Sequence, residues 1–357
     1  MTKPLAPGAT IGILGGGQLG RMLALAAARL GLKCHTYDPA VDAPAAQVSD
    51  AHTAAPYDDI AALTAFAQGC AVVTYEFENI PTAALDAIEG ACPIHPGRKA
   101  LATSQDRLTE KEFLSGLGLH VAPYADITSA DDIRTAMADM GTAGILKTRR
   151  FGYDGKGQVR LKTADEAEEA FAQLNGAPAI LEGMVPLMSE ISVIAARATD
   201  GAVAAFDPGE NVHKDGILDT TTVPANVPNR LKSDAVLTAG RILNALDYVG
   251  VIGVEFFVTP SGLVVNEIAP RVHNSGHWTQ NGCAIDQFEQ HIRAIAGWPL
   301  GDGSRHSNVR MENLIGDDID RVPDLAAKGA ALHLYGKAEA RPGRKMAHVN
   351  FITGPAG

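Results

Sequence analysis

Residues 251–258 and 263–268 constrain this chain more than any other stretch. Both runs are rich in Val, Ile and Phe and read as strands, with Thr259-Pro260-Ser261-Gly262 between them. Proline at the first turn position and glycine at a left-handed position suit a three-residue hairpin loop with a bulge. With Thr259 opposite Leu263, Glu255 falls directly opposite Glu267 on one face of the hairpin. Two carboxylates in that position repel each other. The arrangement makes sense around a hard divalent cation, because magnesium takes oxygen ligands and is held by one or two carboxylates plus substrate phosphates. The alternative is a solvated face with both carboxylates hydrated, and the apolar flanks argue against it.

A second hairpin spans residues 144–161. Gly144-Ile145-Leu146 reads as a strand ending in Lys147, and Val159-Arg160-Leu161 resumes the alternation. The loop between them holds Gly152, Gly155 and Gly157, one lysine (Lys156), and stands beside Arg149 and Arg150. Glycine lets backbone amides approach phosphate oxygens, and lysine and arginine supply charge. Such a tip can fold over an anion, although an ordinary surface hairpin uses the same turn residues.

The N-terminal third starts as strand, glycine loop, helix, strand. Residues 10–14 form a short buried strand, Gly15-Gly16-Gly17-Gln18-Leu19-Gly20 follows, a helix runs over 21–30, and residues 33–38 make a second strand ending in Asp38. Taken literally, this is a dinucleotide fingerprint. It equally fits any phosphate at a helix N-terminus, or a tight turn with no ligand. A strand at 71–74 runs into Tyr75-Glu76-Phe77-Glu78-Asn79. Carboxylates just past a strand's C-terminal end lie where open α/β sheets bind ligands. If the strand continued, Glu76 and Glu78 would point to opposite sides, so one faces a ligand and the other is solvated. Helices are expected over 82–89 and 99–117, the latter containing Gln105-Asp106-Arg107.

Farther along, residues 179–181 form a strand leading into Glu182-Gly183-Met184-Val185-Pro186, which suits a hinge between lobes. Residues 187–197 alternate like a strand and pair with 201–206, the stretch 211–220 is polar and holds His213, and helices are expected over 235–246 and 285–296. Pro270-Arg271-Val272-His273-Asn274-Ser275-Gly276-His277 follows the second carboxylate and could orient a second substrate. The tail gathers cations, with Lys337 and Arg344 as candidates for a second phosphate site.

The net charge of −11, with no basic block, argues against a nucleic-acid or anionic-membrane partner. Cys34, Cys70, Cys92 and Cys283 are scattered, as expected of free thiols in a reducing cytosol. No signal pattern opens the chain and no apolar run approaches the roughly 20 residues that span a bilayer, so a cytoplasmic location is expected.

Taken together these motifs resemble the ATP-grasp superfamily, and within it the 5-(carboxyamino)imidazole ribonucleotide synthetase (PurK type) family. The resemblance covers residues 11–352 and rests on Gly15 to Gly20, Tyr75 to Asn79, Phe151 to Gln158, Asn266 to Thr279 and Gly343 to Met346. One departure is Val272, where a Pro-Arg-Pro-His pattern usually has its second proline. The resemblance implies an α/β, three-lobed ATP-grasp fold. Its parts would be an N-terminal Rossmann-like parallel-sheet domain (1–118), a small α+β lid (119–185) and a C-terminal mixed α+β lobe (186–357). It implies that ATP, bicarbonate and 5-aminoimidazole ribonucleotide give the carboxyamino product, ADP and phosphate, with magnesium, in a homodimer. Arg107 and Lys147 would contact ATP under the loop Gly152, Tyr153, Asp154, Gly155, Lys156, Gly157 and Gln158. Glu182, Gly183, Met184 and Val185 would hold adenine through the main chain, Glu190 the ribose hydroxyls, and His213 would line the site. Glu255 and Glu267 would carry magnesium with Asn266 beside them, and Arg271, His273 and Asn274 would hold bicarbonate or carboxyphosphate. The ribonucleotide would rest on Gln18, Leu19, Glu76 and Asp154, with its phosphate near Lys337 and Arg344. Rivals are an NAD-dependent dehydrogenase, a formate-dependent ribonucleotide transformylase and a non-catalytic nucleotide-binding module.

Overall fold

The structure is a computed structural model that describes residues 3–152 and 157–357. Three sheets organise it. The first is parallel, with strands in the spatial order Ala51–Ala54, Lys33–Asp38, Thr10–Leu14, Val72–Tyr75. The helix Gln18–Arg29 packs on it, and its start lies three residues earlier than the pattern suggests because Leu19 and Gly20 are already buried in the first turn. The strand Ala51–Ala54 and the helix Ile60–Gln68, capped by Asp59, were not anticipated.

The expected helix over 99–117 is two helices, Arg98–Ser104 and Arg107–Gly116. The break falls at Asp106, whose extended backbone and side-chain oxygen cap the second helix through Leu108 N at 3.0 Å. A capping aspartate competes with continuation of the helix and here it wins.

The second sheet is antiparallel, in the order Tyr124–Ile127, Ala179–Gly183, Gly144–Thr148, Gln158–Leu161. Helices Ala130–Met140 and Ala167–Gln173 cover it, and Ile127, Ile133, Leu146, Leu161 and Leu181 form a core of their own.

The third sheet has nine strands, all joined antiparallel. Its order is Gly262–Ala269, Gly250–Thr259, Ser189–Arg197, Gly209–Lys214, Ile217–Val223, Ser307–Ile315, Lys345–Pro355, Ala331–Leu334, with Val203–Ala205 extending one side of Ser189–Arg197. The helix Asn229–Ala245 buries Ala235, Ala239, Ile242 and Leu243 against one face, the spacing of a single helical stripe. The helix Gln287–Ile295 packs on the other face, where Phe288, Ile292 and Ile295 share a cluster with Leu19 and Leu23 of the N-terminal domain. The first and third sheets are thus cemented through one core, while the second keeps its own. The polar stretch 211–220 is itself a hairpin. Asp215 and Gly216 both have positive φ (51° and 79°) between its strands, the turn an Asp-Gly pair favours.

The carboxylate hairpin pairs Glu255 with Glu267 as expected, but by a different route. Thr259 faces Gly262 rather than Leu263, leaving a two-residue turn of Pro260 and Ser261. The register then slips by one between Phe256↔Val265 and Glu255↔Glu267, so Asn266 is the extra residue of a bulge. The bulge that was expected at the turn sits instead beside the acids.

Buried imidazoles are frequent in the C-terminal lobe. His277 packs at a tilt against His348 at a ring distance of 4.4 Å, and His348 stacks on His333 at 4.5 Å. His291 joins two sheets by donating to Thr74 Oγ1 (2.8 Å) while its Nδ1 accepts from Val251 N (3.1 Å). Burial pushes His291 down to about 3 and His333 to about 4, and His277 and His348 are also lowered by burial. These groups are neutral when folded but take up protons below about pH 6.5 when unfolded, so stability is full above that pH and falls on acidification. For His291 the loss at pH 5 is about 2 kcal/mol. Thermal unfolding is therefore expected to occur at markedly lower temperature at pH 5 than at pH 7.5. Removing the His291 imidazole (His291→Gln) should flatten that dependence, and an equally steep profile in the variant would refute the assignment.

Candidate active site

The three sheets meet around one cavity of about 940 Å³. Gln18, Leu19 and Glu76 reach it from the first sheet, Lys147, Gly152 and Gln158 from the second, and Glu190, His213, Glu255, Asn266, Glu267, Arg271, His273 and Asn274 from the third; Arg107 enters from the helix between. Tyr153, Asp154, Gly155 and Lys156 lie outside the described residues. Gly157 has φ +70° and accepts from Thr148 N at 2.8 Å, closing the base of the hairpin.

Glu255 sits under its pocket's apolar strands with Glu267 opposite. Burial first, and Glu267 second, push Glu255 up to about 7. Compensation is incomplete: Arg107 Nη1 donates to Glu267 Oε2 at 3.2 Å, and the uncharged His273 lies with its Nε2 3.5 Å from Glu255 Oε1. Among the described residues no group of three His, Cys, Asp or Glu side chains forms a closed metal cage. Two facing carboxylates with a neighbouring Asn266 side chain, 3.5 Å from Glu255, are the open oxygen donor set that suits magnesium completed by phosphate oxygens.

Lys147 projects from the end of its strand and pairs with Glu182 Oε2 at 3.0 Å. Burial lowers the Lys147 ammonium more than Glu182 restores it. Burial would raise Glu182, but Lys147, Lys111 and Arg107 together hold it below the usual range. Glu182 Oε1 is buried without a partner. None of the expected adenine-binding residues Glu182, Gly183, Met184 and Val185 lines the cavity itself; Glu182 reaches it only through Lys147. Glu190 and His213, on adjacent strands, pair at 2.8 Å; burial would lower His213, and Glu190 reverses this and raises it.

The glycine loop differs from the literal fingerprint. Gly16 N donates to Asp38 Oδ2 at 2.8 Å, and Glu76 accepts from Gly17 N and, at 2.8 Å, from Gly20 N. A Cβ on Gly17 would stand 2.5 Å from the Glu76 carboxylate. The anion at this helix N-terminus is therefore the chain's own side chain, and the amides that would cradle a dinucleotide pyrophosphate are occupied. The expected division between Glu76 and Glu78 fails because the strand ends at Tyr75, so alternation no longer applies. Both line the cavity. Burial would raise Glu78, but Arg271, bonded to both its oxygens, holds it at about 2.

His273 is pushed down to about 3 by burial and by Arg271. Its Nδ1 accepts from Ser275 N (3.4 Å) and meets Ser275 Oγ (2.8 Å), which places the proton of the neutral ring on Nε2, toward Glu255. Asn274 lines the cavity with both side-chain amide atoms buried and unpartnered, as a group awaiting a ligand would be. Lys337 and Arg344 do not line it: Lys337 Nζ reaches Lys345 O at 2.6 Å, and Arg344 Nη1 bonds Glu339 O at 2.9 Å. The tail cation that does line the cavity is Lys345, one residue on, because strand Lys345–Pro355 starts there. Glu78, Glu110 and Lys345 were missed as site residues. The spacing of Arg107, Glu110 and Lys111 on one helical face was the available signal for Glu110.

Family models match three successive segments. They are a ribonucleotide synthetase preATP-grasp domain at 8–105, an ATP-grasp domain at 112–288 and a phosphoribosylaminoimidazole carboxylase C-terminal domain at 310–355. The N5-carboxyaminoimidazole ribonucleotide synthase of Brucella melitensis is 56% identical over 352 residues, 98% of this chain and 97% of its own. The chain belongs to the N5-carboxyaminoimidazole ribonucleotide synthase family. The Bacillus subtilis synthase of this family is 41% identical over 98% of this chain and 93% of its own. Among solved members, the ADP complex of purK superposes with a TM-score of 0.95 at 43% identity, covering 99% of this chain and 94% of that one. The Aspergillus clavatus synthase in complex with ADP and 5-aminoimidazole ribonucleotide superposes at 0.90 and 32% identity, covering 97% and 94%. Family membership makes the chain an ATP-grasp ligase with the expected three-lobed α/β fold, and the dehydrogenase reading falls with it.

Because Glu76 serves one buried amide, Gly20, and one half-buried amide, Gly17, Glu76→Ala should destabilise the protein by about 2 kcal/mol, mainly the cost of stranding the buried donor. Denaturant unfolding measures this. A loss below ~1 kcal/mol would show that the carboxylate is not the loop's anion.

Proposed function

We propose that this chain carboxylates the exocyclic amine of 5-aminoimidazole ribonucleotide at the expense of ATP, with bicarbonate as the carbon source, in purine biosynthesis. The observation that carries the reading is the convergence in one cavity of Lys147, the Glu255–Glu267 pair and the Arg271–Asn274 loop, each from a different part of the chain.

Arg107 and Lys147 take the ATP phosphates and Glu190 holds the ribose, while Glu182 to Val185, which lie outside the cavity lining, are assigned to adenine on the family resemblance alone. Lysine and arginine can each exchange a carboxylate partner for a phosphate oxygen at similar geometry. Glu255, Glu267 and Asn266 would hold magnesium, which when bound would neutralise charge on the phosphoryl group. An oxygen of bicarbonate, oriented by Arg271, His273 and Asn274, attacks the γ-phosphorus, and the bond to the ADP oxygen breaks. The amine then attacks the carboxyphosphate carbon, phosphate leaves and the amine gives up a proton. Neutral His273 donates a hydrogen bond without adding charge beside Arg271. The protein's contribution is to position reactants and exclude water from a short-lived intermediate. Gln18, Leu19 and Glu76 face the ribonucleotide, and Lys345 is better placed than Lys337 or Arg344 to meet its phosphate or the carboxyphosphate. Lys147, Arg107 and Arg271 each sit in a pair with a glutamate, which also fits a site built for anions. We expect a homodimer on the family resemblance.

ADP release is expected to require bicarbonate and to rise when the ribonucleotide is added. Release that runs equally without bicarbonate, or that formate and glycinamide ribonucleotide drive, would overturn the reading. Glu267→Gln should lower turnover by at least 100-fold with the fold intact by circular dichroism; near-normal turnover would remove the metal assignment.

A further inference from the structure

The strand that carries Glu267, Gly262–Ala269, is the edge of the nine-stranded sheet. An edge strand presents unpaired N–H and C=O groups, and a bulge loosens the ladder on its inner side as well. Both conditions meet at Asn266 and Glu267. Nothing in the hairpin alone fixes where the Glu267 carboxylate points.

The outward groups are nevertheless satisfied, by side chains of one helical face. Arg107, Glu110 and Lys111 are three and four residues apart on the helix Arg107–Gly116, so they lie side by side. They meet three consecutive residues of the edge. Lys111 Nζ donates to Asn266 O at 2.6 Å, Arg107 Nη1 donates to Glu267 Oε2 at 3.2 Å, and Glu110 Oε1 accepts from Ile268 N at 2.7 Å. Just before them Val265 N donates to His120 O at 2.7 Å. The helix acts as a missing strand made of side chains. Lys111 does more. Its ammonium, 1% exposed, also lies 3.6 Å from Glu182 Oε2, the carboxylate that holds Lys147. One buried cation thus touches the strand bearing a magnesium ligand and the strand entering the adenine segment, which belong to different sheets.

We propose that Glu110 and Lys111 are positioning residues: they pin the bulged edge so that Glu267 faces Glu255, and Lys111 locks that edge to Glu182 and, through it, to Lys147. The proposal rests on the magnesium reading given above. Burying a lysine with a backbone carbonyl as its nearest partner is costly unless its placement is used. Here the placement sets the distance between the ion's ligands and the phosphate-binding lysine.

The test is calorimetric titration of manganese, as a magnesium probe, into the full-length protein saturated with ADP, with thermal unfolding in parallel. Lys111→Met and Glu110→Leu should each weaken manganese about tenfold, while ADP affinity measured in chelator changes less than twofold. Lys111→Arg and Glu110→Gln keep a donor and an acceptor and should stay within about threefold of wild type. If Lys111→Met does not fold, the Glu110 pair decides by itself. Manganese affinity within twofold of wild type in the folded Met and Leu variants overturns the proposal, as does an equal loss in Glu110→Gln and Glu110→Leu. Glu267→Gln, run beside them, separates the two layers. If it leaves manganese binding intact, the magnesium reading fails; if it abolishes binding and the helix variants do not, only the positioning role fails.

Discussion

Two carboxylates facing one another across adjacent strands, Glu255 largely shielded from water and Glu267 partly exposed, are a cost the fold carries for a purpose. Glu255 is held near pH 7 because burial and Glu267 both oppose its charge. Arg107 offsets part of this at 3.2 Å. On the magnesium reading proposed above, a divalent ion with phosphate oxygens would supply the rest, and the neighbouring elements would serve that need. The bulge at Asn266 brings the acids opposite, the helix Arg107–Gly116 secures the edge, and the core shared by the first and third sheets makes the platform stiff.

A second regularity follows. Three cations proposed to meet an anionic substrate are already paired with a carboxylate: Lys147 with Glu182, Arg271 with Glu78, Arg107 with Glu267. Unpaired buried charges would be expensive, and paired ones are pre-aimed at little cost. Glu76 belongs to the same economy: it fills the glycine loop's anion site from within the chain, so a motif that looks like a dinucleotide signature becomes a rigid wall of the cavity.

Much of this was legible in the residues. Strand Lys33–Asp38, the 144–161 hairpin and the facing of Glu255 and Glu267 follow from alternation and turn chemistry alone. What escaped depends on long-range geometry. The hairpin tip was off by one residue, and the bulge at Asn266 cancelled the error. One of Glu76 and Glu78 was expected to be solvated because the partner that Glu78 meets in the cavity, Arg271, is 193 residues away. Asp106 looked like a residue inside a helix because capping and continuation differ only in tertiary context. Lys345 was passed over for its neighbour Arg344 because a strand start is hard to place within one residue. The strands flanking Asp215-Gly216 could have been found, since that dipeptide is a hairpin signal.

In the proposed chemistry the cavity activates bicarbonate by transferring a phosphoryl group to one of its oxygens. Turnover in 18O-labelled bicarbonate tests it directly, because the oxygen that attacks phosphorus must leave with it. Mass spectrometry of the released phosphate should find one heavy oxygen per turnover. Phosphate carrying only solvent or ATP oxygen would contradict the account.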